Sequence, residues 1–208
     1  HDIALKCIAR GMHVLVEKPI ASNVEEGREI IAAARRANVT LMVGHVERFN
    51  PAVRALRDHH VVPRYIEASR VAPFPFRSTD VGVVLDLMIH DIDIVLHLAQ
   101  SPVTKVEAIG VPVLMGTEDI ANARLEFADG CVANLTASRV SVERLRRIRF
   151  FQSDAYVSVD LFDKSGEAFV IKDPGSFRPG VVDPFALLEG IARTKLDVTA
   201  PGSDLIDT

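Results

Sequence analysis

The 208-residue sequence predicts an α/β region followed by an α+β region with a large, mostly antiparallel sheet. Two observations support this fold class. Residues 1–43 alternate helical and apolar strand patterns with short connections, which is typical of a parallel sheet covered by helices. From Val103 onward the apolar residues recur mostly with a period of two, which is typical of strands. The content of 48% hydrophobic and 25% charged residues is that of an ordinary globular protein.

The first region is expected to contain two helices and two strands. The apolar residues at its start lie on one helical face, and Gly11 stands where a C-cap glycine would end that helix. A parallel sheet needs more than two strands, so we expect the chain to begin in the middle of a fold. The predicted elements are a helix over residues 1–10, a strand over 13–16, a helix capped by Ser22 or Asn23 that ends near Ala37, and a strand over 40–43.

The second region is expected to hold one strand before Val103 and, from there onward, a mostly antiparallel sheet of about six strands with one helix packed on it. The dipeptide Asp129-Gly130 is typical of a turn between two of these strands. The predicted helices cover residues 51–59, 83–98 and 184–194, a proline-rich loop contains Pro73 and Pro75, and the predicted strands cover residues 65–71, 106–113, 121–127, 131–138, 146–151, 155–161 and 168–171.

The composition disfavours several classes of protein. The formal net charge of −4 is unlike that of a nucleic-acid-binding protein, which usually has a basic face. No apolar run approaches the roughly 20 residues that span a bilayer, and the first residues lack the pattern of a signal peptide. Cys7 and Cys131 are far apart and isolated, so we expect neither a disulfide framework nor a thiolate metal site. These features predict a cytoplasmic protein that binds neither nucleic acid nor membrane.

Glu17, Lys18 and Pro19 follow the first predicted strand and form the first candidate site. Ligands of open α/β sheets bind outside the carboxyl ends of the strands, so Lys18 would direct its ammonium into a cleft. An ammonium beside a carbinol stabilises the alkoxide charge that develops on the oxygen. Pro19 would fix the turn, for which a cis peptide is one option. The alternative is a solvated lysine followed by a proline that merely ends the strand.

Four polar residues of the long predicted helix form the second candidate site. A polar stripe on an otherwise buried helix faces water, a partner or a site. Histidine suits acid–base chemistry on a hydroxyl, and Asp86, one turn before His90, would orient the imidazole or bind a second hydroxyl. At about 100° per residue the stripe is roughly 60° wide, and it consists of Asp86, His90, Asp93 and His97.

Two other interpretations of this stripe stay open. A metal needs three or four converging ligands, and residues spread over three helical turns cannot all reach one ion. We therefore expect no metal, although two ligands from this helix could combine with others from outside it. The stripe could also consist of a satisfied core histidine and a buried helix cap.

The third candidate site follows the second predicted strand, at the same sheet edge as Lys18. Gly44 permits close backbone approach, and Arg48 and Asn50 supply donors for a polyhydroxylated or anionic ligand. The alternative is a domain-crossing turn with a solvated arginine. Two further groups are expected to be solvated, namely the basic residues Arg139, Arg144, Arg146, Arg147 and Arg149, and the loop pair His59 and His60.

The three motifs, in this order, resemble the Gfo/Idh/MocA oxidoreductase family over essentially the whole chain. The resemblance implies a Rossmann domain, of which residues 1–49 would be the C-terminal part, and a substrate-binding and oligomerisation domain over residues 50–208. It also implies an NAD or NADP cofactor with its nicotinamide between the two domains. The segments that carry the resemblance are HDIALKCIARGMHVLVEKP, VGHVERFNP, VVLDLMIHDIDIVLHL and ANARLEFADGCVANLTASR.

The resemblance assigns roles to the candidate residues. Lys18 matches the active-site lysine of the family, and Asp86 and His90 match its aspartate–histidine pair, in which the histidine is the usual acid–base. The catalytic residues would then be Lys18, His90 and Asp86, the cofactor-binding residues Glu17, Lys18, Pro19 and Arg48, and the substrate-binding residues Lys18, Arg48, Asn50, Asp86 and His90.

The implied activity is that of an NAD(P)-dependent sugar dehydrogenase, which oxidises a secondary hydroxyl to a ketone. Inositol or another sugar is one alternative to a nucleotide-sugar substrate, and a non-catalytic nicotinamide-binding regulator is an alternative of another class. The resemblance also implies a homo-oligomer that forms through the open face of the sheet. Three segments, GHVERFNPA, FPFRSTDVGVVLDLMIHDID and SDAYVSVDL, are most similar to the branch that oxidises the 3-hydroxyl of UDP-N-acetylglucosamine for lipid A amino sugars.

The sequence departs from the family pattern at its start. Family members open with a strand and a G-x-G-x-x-G turn that holds the cofactor pyrophosphate, and no such motif occurs in this sequence. We expect roughly 75–80 residues of the dinucleotide domain, and part of a last helix, to be missing, which leaves a fragment that binds cofactor poorly. The residue that distinguishes NAD from NADP would lie in that part.

Overall fold

The computed structural model describes residues 1–56, 61–74, 81–172 and 190–199. The chain forms two compact units, of which the first covers residues 1–46 and the second begins at residue 47. The domain boundary between residues 49 and 50 stays a prediction. His59, His60 and Pro75 lie outside the described residues.

The first unit contains the four elements that the sequence predicts. Its two short strands are parallel, with Val14 opposite Leu41, and they are joined through the longer helix. The elements are the helix α1 (Asp2–Ala9), the strand β1 (Val14–Val16), the helix α2 (Val24–Ala37) and the strand β2 (Leu41–Val43).

Capping residues fix the ends of these helices. The side chain of Asn23 accepts a hydrogen bond from the backbone N–H of Glu26, so Asn23 rather than Ser22 is the N-cap of α2. Asn38 ends the same helix in the left-handed conformation, and Gly11 follows α1 with a φ of +73°. The small core of this unit consists of Ala4, Ile8, Ile30 and Ala34.

The second unit is built on an eight-stranded sheet within the described residues, in the order β10-β9-β8-β7-β3-β6-β5-β4. Neighbouring strands are antiparallel except β3 and β6, which are parallel, so the predicted mostly antiparallel sheet is confirmed. The strands are β3 (Tyr65–Val71), β4 (Val103–Val111), β5 (Ile120–Phe127), β6 (Val132–Ser138), β7 (Leu145–Phe151), β8 (Ala155–Asp160), β9 (Ser165–Ile171) and β10 (Ile191–Lys195).

The strand β10 corrects the sequence prediction of a helix over residues 184–194. Ile191 pairs with Ile171 of β9, and the backbone N–H of Lys172 donates to the carbonyl of Gly190. A short apolar sequence pattern such as the one in this region fits either a helix or a buried strand. Residues 191–195 form a strand because the free edge of β9 offers partners for their backbone hydrogen bonds. Residues 184–189 of the predicted helix lie outside the described residues.

One face of the sheet carries the core of the second unit. The short helix α3 (Pro51–Ala55) contacts β8 and β9, and the helix α4 (Ile89–Ala99) contacts β3 and β6. None of the helices in the described part of the chain combines the length and the apolar character that a membrane span requires. The largest apolar side chains of the core include Leu56, Ile66, Met88, Ile94, Leu135, Ile148 and Phe150.

The long predicted helix over residues 83–98 is not regular. Residues Val84–Met88 form a π-helical turn, and the α-helix α4 begins only at Ile89. A π turn closes i→i+5 hydrogen bonds, so the uniform advance of 100° per residue does not hold through Asp86. The predicted width of the polar stripe therefore does not hold at Asp86, although Asp86 and His90 lie on one continuous helical segment.

Candidate functional site

The first group of candidate residues lies at the carboxyl end of β1 in the first unit. Glu17, Lys18 and Pro19 follow the strand directly, and the peptide bond between Lys18 and Pro19 is cis, which agrees with the sequence expectation. Lys18 is half-buried, whereas Glu17 and Pro19 are exposed. The lysine thus stands at the sheet edge where α/β proteins bind their ligands.

The carboxylate of Glu17 occupies the space next to Gly44, and the predicted close approach of a ligand to this glycine stays a prediction. A Cβ atom on Gly44 would lie 2.7 Å from Oε2 of Glu17. The backbone N–H of Gly44 also donates to the carbonyl of Val16 over 2.7 Å. These contacts join the carboxyl ends of the two parallel strands immediately beside Lys18. A parallel pair with a glycine at its carboxyl edge fits the second half of a dinucleotide-binding sheet.

The second group lies on the helical segment of the second unit. Asp86 is in the π-helical turn and His90 is in the first turn of α4, and both side chains are half-buried. The Nδ1 atom of His90 is itself buried. Since π turns within helices occur frequently at functional sites, this irregularity supports the choice of Asp86 as a candidate.

Arg48, which the sequence predicts as a ligand-binding donor, forms a double hydrogen bond with Asp93 of α4. Its Nε and Nη2 atoms donate to the two carboxylate oxygens, each over 2.6 Å. Asp93 is buried, and the hydrogen bond with it raises the pKa of the Arg48 guanidinium. Asp93, a member of the predicted polar stripe, therefore forms an ion pair with Arg48, which the sequence predicts as a ligand-binding residue.

A second ion pair, which the sequence analysis missed, holds Asp91. Arg70 of β3 donates from Nη2 to Oδ1 of Asp91 over 2.7 Å, and its Nε reaches both carboxylate oxygens. Each residue is 2% exposed. Burial raises the pKa of Asp91 and the positive charge of Arg70 opposes that shift. Arg70 lies on the same face of β3 as the buried Ile66 and Ala68, which was the available indication of a buried guanidinium.

Glu47 extends the Arg70–Asp91 pair to a further arginine, Arg146. Its Oε1 atom accepts from Arg70 over 3.3 Å and from Arg146 over 3.4 Å. Burial and the neighbouring positive charge of Arg70 lower the pKa of Arg146. We call this group and the Arg48–Asp93 pair together the buried charge cluster, after its three buried members, Arg70, Asp91 and Asp93. Its other members, Arg48, Arg146 and Glu47, are half-buried.

Asn50 is buried and serves as the N-cap of α3. Its Oδ1 atom accepts from the backbone N–H of Ala52 over 3.0 Å, and its Nδ2 atom donates to the carbonyl of Leu161 over 2.9 Å. Nδ2 also lies 3.4 Å from a carboxylate oxygen of Glu47. These contacts give Asn50 a structural role, and its predicted substrate binding would require it to exchange one of these partners.

The basic residues of the second unit divide into two kinds. Arg147 and Arg149 lie on the face of the sheet opposite the helices, where they pair with Asp160 and Glu67, which confirms the predicted solvated face. For Arg139 that prediction is wrong, because its side chain is fully buried and donates to Asp119 over 2.7 Å. Arg139 also donates to the carbonyl of Val81 and the hydroxyl of Thr117, so it stabilises the segment that leads into the π turn.

These features recur in known proteins. Residues 1–45 match the model of an oxidoreductase family with an NAD-binding Rossmann fold, and residues 28–158 match the GFO/IDH/MocA C-terminal domain. The chain belongs to the GFO/IDH/MocA family of oxidoreductases. This result confirms the family and the fold class that the sequence motifs predict.

The chain is similar to dehydrogenases with several different stated substrates, among them a nucleotide sugar, an inositol and a dihydrodiol. The chain is 41% identical, over 164 residues, to a UDP-N-acetylglucosamine 3-dehydrogenase from Acidithiobacillus ferrooxidans. The aligned region covers 78% of this chain and 52% of that protein. A solved structure of UDP-N-acetylglucosamine 3-dehydrogenase GnnA from Acidithiobacillus ferrooxidans aligns with a TM-score of 0.82 at 36% identity, over 94% of this chain and 60% of that chain. A scyllo-inositol 2-dehydrogenase (NAD(+)) from Bacillus subtilis is 27% identical over 161 residues, 67% of this chain and 45% of that protein. The chain thus spans about half the length of the curated relatives it matches.

Proposed function

We propose that the protein is an NAD-dependent dehydrogenase that oxidises the 3-hydroxyl of UDP-N-acetylglucosamine to a ketone. The observation that carries this proposal is that Asp86 and His90 lie four residues apart on one helical segment, in a chain 41% identical to an enzyme with that name. An acid–base group is useful to a dehydrogenase and has no use in a sensor. The half-buried Lys18 at the end of β1 supplies the cation that such chemistry requires.

Each residue has a distinct role in the proposed mechanism. His90 takes the proton from the sugar hydroxyl, while the nicotinamide, when bound, supplies the hydride acceptor for the same carbon. Lys18 donates a hydrogen bond to that oxygen as negative charge develops on it. Asp86 orients His90 or accepts a hydrogen bond from a neighbouring hydroxyl. Glu17 and Pro19 shape the strand end beside the cofactor.

The direct test supplies the complete gene product with UDP-N-acetylglucosamine and either NAD or NADP. We expect nicotinamide reduction with NAD, together with a sugar product two mass units lighter than the substrate, as loss of two hydrogens requires. Reduction with NADP alone would change the cofactor and leave the rest of the proposal intact. Absence of reduction with every sugar and both cofactors would favour a nicotinamide-binding regulator.

Inositol is the second candidate substrate, and the 27% identical scyllo-inositol 2-dehydrogenase supports it. The same residues would act on a ring carbinol of either ligand, so the two proposals differ only in substrate recognition. Competition distinguishes them. If inositol is the substrate, its kcat/KM exceeds that of UDP-N-acetylglucosamine by several orders of magnitude in the complete gene product.

We further propose that the protein acts in the cytoplasm as a homo-oligomer that associates through the face of the sheet opposite the helices. That face carries an aromatic row that crosses four strands, and an exposed isoleucine, Ile109, near the sheet edge. Interfaces between subunits are enriched in aromatic residues and arginine. The aromatic row consists of Tyr65, Phe151, Tyr156 and Phe169.

Substitution of Ile109 tests the oligomer. Ile109→Arg should reduce the mass measured by sedimentation of the complete gene product, because it places a charge in the proposed contact. The matched control is Val142→Arg, at a loop residue that is 97% exposed, which should leave the mass unchanged. An unchanged mass for Ile109→Arg, or a monomeric wild-type protein, would contradict this proposal.

A further inference from the structure

We infer that Arg48 and Arg70 are positioning residues that hold His90 in its reactive orientation through Asp93 and Asp91. The inference rests on the proposed dehydrogenase function. It assigns Arg48 a role different from the cofactor or substrate binding that the sequence predicts. The four residues belong to the buried charge cluster, and all of the contacts that support the inference lie within the second unit.

The two acidic residues lie on either side of His90 around the axis of α4. This part of the segment is regular α-helix, so each residue advances by about 100°. Asp91 is therefore about 100° to one side of His90, and Asp93 is about 60° to the other. An ion pair on one side alone would resist rotation of the helix in one direction. Pairs on both sides resist rotation in either direction.

Both pairs have geometry that fixes orientation. Each guanidinium donates two or more hydrogen bonds to its carboxylate, and such paired bonds restrain the relative rotation of the two groups. Arg70 comes from β3, and Arg48 comes from a 3-10 turn, Val46–Phe49. The helix is thus held against two separate elements. Glu47 links Arg70 to Arg146 and so completes the charge balance around Asp91.

Stability alone does not account for this arrangement. Buried ion pairs can often be replaced by apolar residues of similar volume without loss of stability, because desolvation offsets their attraction. A need for orientation is a better reason for two aspartates of α4, Asp91 and Asp93, each to bind a guanidinium from another element. The π-helical turn immediately before α4 interrupts the regular backbone ladder, so the preceding residues hold His90 less firmly than a continuous α-helix would.

The two possible roles of Arg48 predict different kinetics. A residue that binds cofactor or substrate directly mainly raises KM when it is removed, whereas a residue that positions the acid–base group mainly lowers kcat. If Arg48 acts through Asp93, loss of either partner disrupts the same contact. Loss of both partners should then add little to the loss of one.

The experiment measures kcat and KM for Arg48→Met, Asp93→Leu and the double variant of the complete gene product. We expect each single variant to lower kcat by on the order of 10- to 100-fold, as small misplacements of reacting groups do, with KM changed by less than about threefold. The double variant should be no slower than the slower single variant. Arg48→Lys, which keeps the charge and loses the paired geometry, should recover only part of kcat. The matched control, Arg147→Met, removes an arginine from the opposite face and should leave both constants unchanged.

A second measurement does not depend on turnover. In protein with isotope-labelled histidine, the imidazole resonances of His90 should broaden or split in Arg48→Met and Asp93→Leu and stay single in Arg147→Met. Three results would each overturn the positioning role. They are unchanged His90 resonances in Arg48→Met and Asp93→Leu, a rise in KM at constant kcat, and kcat losses that multiply in the double variant. Absence of turnover in the wild-type protein would reject the proposed function instead, and the His90 resonances would still decide the positioning role.

Discussion

Single residues of the second unit show how charge is accommodated within its core. Arg70 occupies a core-facing position of β3, where an isolated guanidinium would be strongly unfavourable. Asp91, 21 residues further along the chain, supplies the compensating carboxylate. The alternation along β3 could predict that Arg70 is buried. It could not predict the partner, because the spacing of residues within one strand carries no information about which side chain of a distant helix reaches it.

Removal of one partner of this pair should destabilise the protein. Arg70→Met leaves the carboxylate of Asp91 buried without its guanidinium, and we expect the free energy of unfolding to fall by about 3–5 kcal/mol. The double variant Arg70→Met/Asp91→Leu replaces the pair by apolar groups and should recover most of that loss. Urea unfolding of the complete gene product measures both. A single variant as stable as wild type would contradict the buried pair.

The thiol of Cys131 provides a test of burial at one residue. Burial raises its pKa to about 11, so roughly one thiol in a thousand is ionised at pH 8. The thiolate is the reactive form. Below the pKa, the thiolate fraction increases tenfold for each unit by which the pH is raised. We expect iodoacetamide to leave Cys131 unmodified in the native protein at pH 8 and to modify it in urea, as followed by peptide mass spectrometry. Equal labelling rates in the two conditions would show that Cys131 is accessible.

The helices and strands differ in how far the sequence predicts them. The bounds of β3 match the prediction of residues 65–71, since its apolar residues alternate regularly. The π-helical turn Val84–Met88 was not predictable from apolar periodicity, because that analysis assumes the same angle of rotation about the helix axis at every residue. The strand β10 was also missed. Its pairing depends on the unoccupied edge of β9, which is a property of the assembled sheet and not of residues 191–195 themselves.

A glycine of β9 tests the packing of β10. Leu196, which directly follows β10, is buried against Gly166, and a Cβ atom on Gly166 would lie 2.6 Å from Cδ1 of Leu196. Gly166→Ala should displace Leu196 and lower the free energy of unfolding by about 1–3 kcal/mol, as other overpacked sites do. Hydrogen exchange of the amides in residues 191–196 should become faster.

The control for this prediction is Gly116→Ala. A Cβ atom on Gly116 would have no other heavy atom within 4 Å, so its substitution should leave exchange in residues 191–196 unchanged. If Gly166→Ala also left that exchange unchanged, the packing of Leu196 over Gly166 would not be what holds β10 to the sheet.

At the scale of the whole molecule, the proposed catalytic residues are found in both compact units. Lys18 belongs to the first unit, and Asp86 and His90 belong to the second. The sequence could predict these residues because strand ends and helical stripes can be recognised from local patterns. It could not predict the buried charge cluster, since that cluster joins a turn, two strands and a helix. The local patterns thus predict the reacting groups, whereas the proposed positioning of the helix that carries His90 depends on long-range packing.

The central claim is that Lys18 and His90 act on the same carbinol. The most direct test compares kcat/KM of the wild-type complete gene product with Lys18→Met, His90→Ala and the double variant, with UDP-N-acetylglucosamine and NAD as substrates. We expect each single variant to lose about 100- to 10,000-fold and the double variant to be no worse than the slower of the two, because residues that act as a unit are not additive. Unchanged turnover of His90→Ala, or losses that multiply in the double variant, would contradict the claim.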